Sequence, residues 1–406
     1  MTRKRIVKTD SEPTKPEADS IKDDEWLPPP PKRANRALAA VAARSGAFRP
    51  AREVLTSVVA VPTIFPQLDY ITKVGGLPIQ RFIVVHGPSG HGKTQLCLGL
   101  GLSFLKLDHF FDLVDAEFTT PDTWLDNLMS EYLDSPLFGA LRPNSYEETV
   151  EAVRMKNNAI IKAKREGELD KVSTGLFVID SIRKLVPNNI LDKIAKGEGG
   201  VDGMGGRAAQ IKAAMNASWL DELIPKLYAA GTTMIAIARE SENTNVGQYD
   251  PKWKMTGGKA LEFDSSLIMR IERAEWTKQG TGDDAKVIGE KHKITIRKTK
   301  VAGKEGKTAV GYFHTSNGQY EGVPEGFDRP RDVLGLATKF KIVNKQGSWF
   351  IYGSQRIQGE NQFVRALHQN PQMMMDLETK VRGCFTKYEP EEASDEELSR
   401  HAPIHS

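Results

Sequence analysis

The stretch GPSGHGKTQLCLGL, residues 87–100, decides how the rest of the chain is read. Its first eight residues, Gly87-Pro88-Ser89-Gly90-His91-Gly92-Lys93-Thr94, fit G-x-x-x-x-G-K-[ST] in full. The run before it, RFIVVHG, is apolar in the manner of a strand buried on both faces of a parallel sheet. Behind it, TQLCLGLGLSFLKL carries apolar residues at helical spacing. Strand, glycine loop and helix are the context this motif requires. The glycines let backbone N–H groups curl around phosphates, and the helix N-terminus adds its positive end. Lys93 then reaches the β- and γ-phosphates and the Thr94 hydroxyl ligates Mg²⁺.

A phosphate loop of this kind needs a second carboxylate for the metal, at the end of a neighbouring strand. GLFVID supplies it in Asp180, followed by Ser181. Hydrolysis further needs a group that orients or deprotonates water. Glu117, in LVDAEF at the end of another core strand, is well placed. Asp115 competes with it, because two residues apart on a strand means the same face, and spacing alone does not separate them.

Working outward, apolar strands alternate with helices: FFDLVDAEF, PDTWLDNLMSEYL, SYEETVEAVRMKNNAIIKAKREGE, GLFVIDS, AAQIKAAMNASWLDELIPKLYAAG and TTMIAIAR. This order predicts an α/β core with a doubly wound, mostly parallel sheet whose ligands sit at the carboxyl ends of the strands. The core is expected over residues 61–325. It follows a polar, proline-rich and disordered arm over 1–34 and a helix and strand segment for oligomerisation over 35–60. A small α+β domain is expected over 326–384, then an acidic tail over 385–406. Two stretches, 197–209 and 240–260, are Gly-rich and polar, and connections of that length in a compact domain are usually functional or disordered.

Composition narrows the class without naming it. Lys plus Arg is 56 and Asp plus Glu is 53, a net charge of +3, so any basic surface has to be local. The two cysteines, Cys97 and Cys384, are far apart and lack metal-ligand spacing, which suits a reducing cytoplasm and argues against zinc. No apolar run is long enough to span a membrane.

GGLPIQRFIVVHGPSGHGKT, LVDAEF, FVIDS and TGGKALEF stand in the order and at roughly the spacing of the RecA family of ATP-dependent DNA recombinases, which this sequence resembles over about residues 55 to 384. GSWFIYGSQRIQGENQFVRALHQNP is similar to the small C-terminal domain of that family's bacterial and phage branch. The resemblance implies ATP and Mg²⁺ as cofactors, and Glu117 rather than Asp115 as the glutamate that activates water. It puts Trp124 where the family stacks a ring on adenine. Lys298 and Lys300 match a Lys-x-Lys pair that reaches the ATP of the adjacent subunit, acting as an arginine finger does. On the residues alone, the same pair reads as a solvated basic edge strand.

The resemblance also makes the two long loops the lining of a filament axis that holds single-stranded DNA. Met204 falls where the family places a side chain near splayed bases, and Arg207 can reach a phosphate. Gly257 and Gly258 can offer backbone N–H groups to another, and Lys252, Trp253 and Lys254 add charge and stacking. Phe48 and Ala51 have the F-x-x-A spacing with which archaeal and eukaryotic relatives dock on a neighbour. One departure stands out. Where the family usually has a polar amide that senses the γ-phosphate, this sequence has Ala238-Arg239, and Arg239 is the candidate replacement.

The implied function is a filament that pairs single-stranded DNA with homologous duplex DNA, with a single-strand-binding protein or loading mediator as a further partner. The rivals are a hexameric helicase on the same core and an ATP-gated assembly scaffold. The first lacks residues for an extra N-terminal domain, and the presence of Glu117 weighs against the second.

Overall fold

A computed structural model describes residues 58–197, 205–242, 253–279, 285–314 and 325–385. The expected arm, Phe48, Ala51, Met204, Lys252 and the acidic tail lie outside the described residues.

The chain enters through β1 (Ala60–Val61), helix α1 (Pro66–Ile71) and β2 (Leu77–Pro78), with β1 and β2 pairing antiparallel. Then β3 (Phe82–Gly87) runs through the middle of a ten-stranded sheet, and each of its residues is buried. It pairs in parallel with β7 (Thr233–Glu242) on one side and β9 (Leu267–Gln279) on the other. Beyond β7 the parallel order continues through β6 (Gly175–Asp180), β4 (Phe110–Asp115) and the edge strand β5 (Phe138–Leu141). Beyond β9 the sheet turns antiparallel through β10 (Lys286–Thr299), β11 (Thr308–His314) and β12 (Gly326–Phe327). The sheet is therefore doubly wound and mostly parallel in its core, with an antiparallel extension.

Both faces are covered. Helix α2 (Lys93–Leu105) is buried on every side from Gln95 onward, which is why its sequence is apolar all round rather than in one stripe. Its Gly99 admits Phe65: a Cβ there would lie 2.5 Å from the ring. The other face is closed by α4 (Tyr146–Glu166) and α6 (Gly205–Ala230). These pack Tyr146, Val153, Trp219, Leu223 and Leu227 against Phe82, Val84 and Ala236. Ser145 caps α4 by accepting from the Glu148 N–H at 3.2 Å, and Gly167 ends it at φ 78°.

After β12 the chain forms α8 (Arg329–Lys339), a three-stranded sheet (β13 Asn344–Gln346, β14 Trp349–Tyr352, β15 Gln355–Gln358), α9 (Glu360–Gln369) and α10 (Pro371–Arg382). This is the α+β unit the sequence suggests. Its apolar residues Val333, Phe363 and Leu377 belong to the same cluster as Leu68 and Phe104, so one core runs from the large sheet into it. No helix among the described residues is long and apolar enough to cross a membrane.

Two expectations need correction. Neither long stretch is wholly loop: α6 begins at Gly205, β7 continues to Glu242, and β8 (Trp253–Met255) returns antiparallel against it. Hydrogen-bonding a chain back onto an open strand satisfies backbone groups that a polar loop would otherwise leave to water. Secondly, Glu117 is not on a strand. β4 stops at Asp115 and the chain turns, with Phe118 at φ 57° and its N–H bonded to the Asp115 carbonyl at 3.3 Å. The alternation argument linking Asp115 to Glu117 therefore does not apply.

Candidate nucleotide site

The carboxyl ends of β3, β4, β6 and β7 open on a cavity of about 280 Å³. It is lined by Ser89 to Gln95, Glu117, Thr119, Thr120, Trp124, Asp180, Arg239 and Glu290. Six of the eight loop residues read from the motif lie on it, and Gly87 and Pro88 face Lys93. That lysine folds back on its own loop, its ammonium donating to the Gly87 carbonyl at 3.1 Å and the Pro88 carbonyl at 2.7 Å. Burial and the Arg239 charge lower the Lys93 pKa, and Asp180 and Glu117 oppose them.

Glycine is required at position 92 twice over. Its φ is 81°, and a Cβ would lie 2.6 Å from the ring of His292 beneath the loop. That ring is buried and bonded to Glu290 at 2.8 Å. Arg273 completes the underside: its side chain bonds Glu290 at 2.8 Å and the Gly90 carbonyl at 2.5 Å, and its backbone N–H donates to His91 Nδ1 at 3.0 Å. Sequence reasoning missed Glu290, His292 and Arg273. The only signal was the alternation of Glu290 and His292 on one strand face, which nothing in the sequence ties to the phosphate loop.

The Thr94 hydroxyl donates to Asp180 Oδ2 at 2.5 Å, so the two expected metal ligands meet across 86 residues of chain. Burial pushes the Asp180 carboxyl up to about 6, with the Thr94 hydrogen bond opposing and the Glu117 charge adding to it. Glu117 hangs from the same strand end, its N–H bonded to the Asp180 carbonyl at 3.1 Å. Its Oε1 accepts from Ser181 Oγ at 2.6 Å and from Arg239 Nη2 at 2.8 Å. Burial works against the charge on Glu117, but the Ser181 and Arg239 hydrogen bonds outweigh it and hold its carboxyl below the usual range.

Asp115 is occupied elsewhere. It is buried, accepts from the Thr119 and Thr120 N–H groups at 3.2 and 3.3 Å, and pairs with Arg142 at 3.1 Å. It holds the turn that presents Glu117. Trp124, on α3 (Asp122–Met129), lines the cavity and meets Phe313 edge to face at 6.4 Å.

Gly257 and Gly258 are not among the residues that line this cavity. Lys298 and Lys300 do not line it. Their ammonium groups sit on the carbonyls that end α7 (Lys259–Asp264): Lys298 on Glu262 and Phe263, Lys300 on Phe263. Gly257 and Gly258 have φ of 119° and 95°, Asn216 donates to the Gly257 carbonyl at 3.0 Å, and Thr256 bonds the Arg239 carbonyl. The backbones of Arg207, Trp253 and Lys254 lie in α6 and β8.

The donor set fits a magnesium nucleoside triphosphate: one ammonium, a hydroxyl and carboxylate in contact, and a loop in which a Cβ at Gly87 would lie 2.1 Å from the Ile271 carbonyl. Fold and site define a P-loop nucleotide-binding protein on a doubly wound sheet. The RecA N-terminal domain matches residues 49–315 and the RecA C-terminal domain residues 331–386. The chain is 30% identical to Protein RecA of Geobacter metallireducens over 332 residues, 82% of this chain and 87% of that one. It is 29% identical to Protein RecA of Bifidobacterium longum over 378 residues, 92% of this chain and 86% of that one. It belongs to the RecA family.

Proposed function

We propose that this chain is an ATP-dependent strand-exchange protein that forms helical filaments on single-stranded DNA and pairs it with homologous duplex DNA. The observation that carries the reading is where Lys298 and Lys300 lie. Two ammonium groups converge on the Phe263 carbonyl, outside the cavity formed by their own subunit. Cations gathered there serve a neighbour's nucleotide, so hydrolysis requires assembly.

Within one subunit the phosphate loop holds the triphosphate, Thr94 and Asp180 would hold Mg²⁺, and Lys93 exchanges its two carbonyl partners for phosphate oxygens. The bound metal supplies charge neutralisation at the phosphates. Glu117 accepts a proton from the attacking water, and the Lys298 and Lys300 of the next subunit offset the charge that develops. Trp124 provides the face for the adenine ring.

DNA is held by Met204, Arg207, Lys252, Trp253 and Lys254 with the backbone of Gly257 and Gly258, and Phe48 and Ala51 dock on the neighbouring subunit. Sequence is read by base pairing, so the protein needs contacts to the DNA backbone and stacking rather than a base code. This suits a net charge of only +3.

The test is strand exchange between a single-stranded circle and a homologous linear duplex, with ATP and Mg²⁺, by the full chain and by Glu117→Gln. The full chain forms joint molecules. Glu117→Gln keeps nucleotide-dependent DNA binding and loses turnover. Unwinding of a duplex without a homologous partner strand would favour the helicase instead.

A further inference from the structure

Arg239 stands where it can answer to either of two anions. Its guanidinium lines the triphosphate cavity with Lys93 and Thr94, and it is bonded to Glu117 Oε1 at 2.8 Å through Nη2 and 3.3 Å through Nε. The same oxygen takes the Ser181 hydroxyl at 2.6 Å. Three donors crowd that one oxygen, and Oε2 is the carboxylate's second acceptor. As it stands, a water proton has to compete for Oε1.

Arg239 is also tied to the fold at both ends of its residue. Its backbone pairs in register with Gly87, the first residue of the phosphate loop. Its carbonyl accepts from the Thr256 N–H at 2.9 Å and the Thr256 hydroxyl at 3.0 Å. The backbone is held, so the side chain is what can move, and at 35% exposure it has room to do so. A terminal phosphate carries more charge than a carboxylate and offers the forked guanidinium two oxygens at once. It therefore competes for Arg239 on favourable terms.

We propose that Arg239 is a latch on Glu117. Without a triphosphate its guanidinium holds Oε1 of the carboxylate, and a terminal phosphate in the cavity draws the guanidinium away and frees that oxygen. A diphosphate, lacking that phosphate, leaves the latch shut. The proposal rests on the nucleotide-site reading above but needs neither DNA nor a filament.

The latch makes a prediction about binding, because opening it opposes triphosphate binding. The test is a double-mutant cycle on the full chain without DNA, with Glu117→Gln, Arg239→Gln and the combination, reading the Kd of a non-hydrolysable ATP analogue and of ADP. With Arg239 present, Glu117→Gln frees the guanidinium and tightens the analogue about tenfold more than it does in the Arg239→Gln background, and ADP shows no such difference. Equal tightening in both backgrounds would mean general charge relief and would overturn the latch. So would the same cycle for ADP as for the analogue. If Arg239→Gln does not fold, Arg239→Ala replaces it in the cycle. Loss of strand exchange with the cycle intact would instead count against the recombinase reading and spare the latch.

Discussion

The Thr94 hydroxyl and the Asp180 carboxylate touch at 2.5 Å, although one opens the helix behind the phosphate loop and the other ends the second strand over from β3. The contact brings together the hydroxyl and the carboxylate that would hold Mg²⁺, which would supply charge neutralisation at the phosphates. Asp180→Asn keeps the shape and loses the charge. We expect turnover to fall by on the order of 100-fold, with a shift to higher Mg²⁺ demand, measured as ATPase activity titrated with Mg²⁺. Unchanged Mg²⁺ dependence would remove Asp180 from the metal site.

The placement of Lys298 and Lys300 outside their own cavity leads to a mixing experiment. Glu117→Gln and Lys300→Ala are each expected to be nearly inactive alone. In mixed filaments about one interface in four joins an intact Glu117 to an intact Lys300, because head-to-tail contacts pair unlike surfaces. Activity should reappear on mixing. Two inactive proteins that stay inactive together would show that the lysines act within their own subunit.

The phosphate loop and its two neighbours were legible because the chemistry fixes residue types at fixed spacing, and strand ends on a parallel sheet converge. Asp180 could be found that way. The choice between Glu117 and Asp115 could not, because it depends on a turn at Phe118 that ends β4 two residues early. Glu290, His292 and Arg273 were invisible for a different reason. They reach the loop from β9 and β10, about 180 to 200 residues away in sequence, through contacts that no local pattern encodes.

Two glycines of the loop separate backbone strain from crowding. At Gly90 a Cβ meets nothing within 4 Å and the cost is the left-handed φ of 72° alone, about 1–2 kcal/mol. At Gly92 the Cβ also meets the His292 ring. Gly92→Ala should therefore lower the melting temperature and nucleotide affinity more than Gly90→Ala does. Equal losses would mean the His292 ring gives way freely.

Asp328 offers a pH test in the C-terminal unit. Its fully buried carboxylate is bonded to His314 at 2.7 Å and to Arg331 at 2.9 Å, and it caps α8 through the Arg331 N–H at 3.1 Å. Burial alone would raise its pKa, but the His314 and His368 hydrogen bonds and the Arg331 charge hold it far below the usual carboxylate range. A depressed folded value contributes stability that is complete above the unfolded value, about 4, and is lost as pH falls below it. Asp328→Asn should cost about 3–5 kcal/mol at neutral pH, and its melting temperature should fall less between pH 5 and pH 3 than that of the unaltered chain. Parallel curves would contradict this.

The central claim is that the nucleotide site is completed between subunits on DNA. Its most direct test is negative-stain electron microscopy of the full chain with single-stranded DNA, Mg²⁺ and a slowly hydrolysed ATP analogue. The account predicts continuous helical filaments that are absent without nucleotide and with Lys93→Ala. Closed rings, or the same assemblies with and without nucleotide, would contradict it.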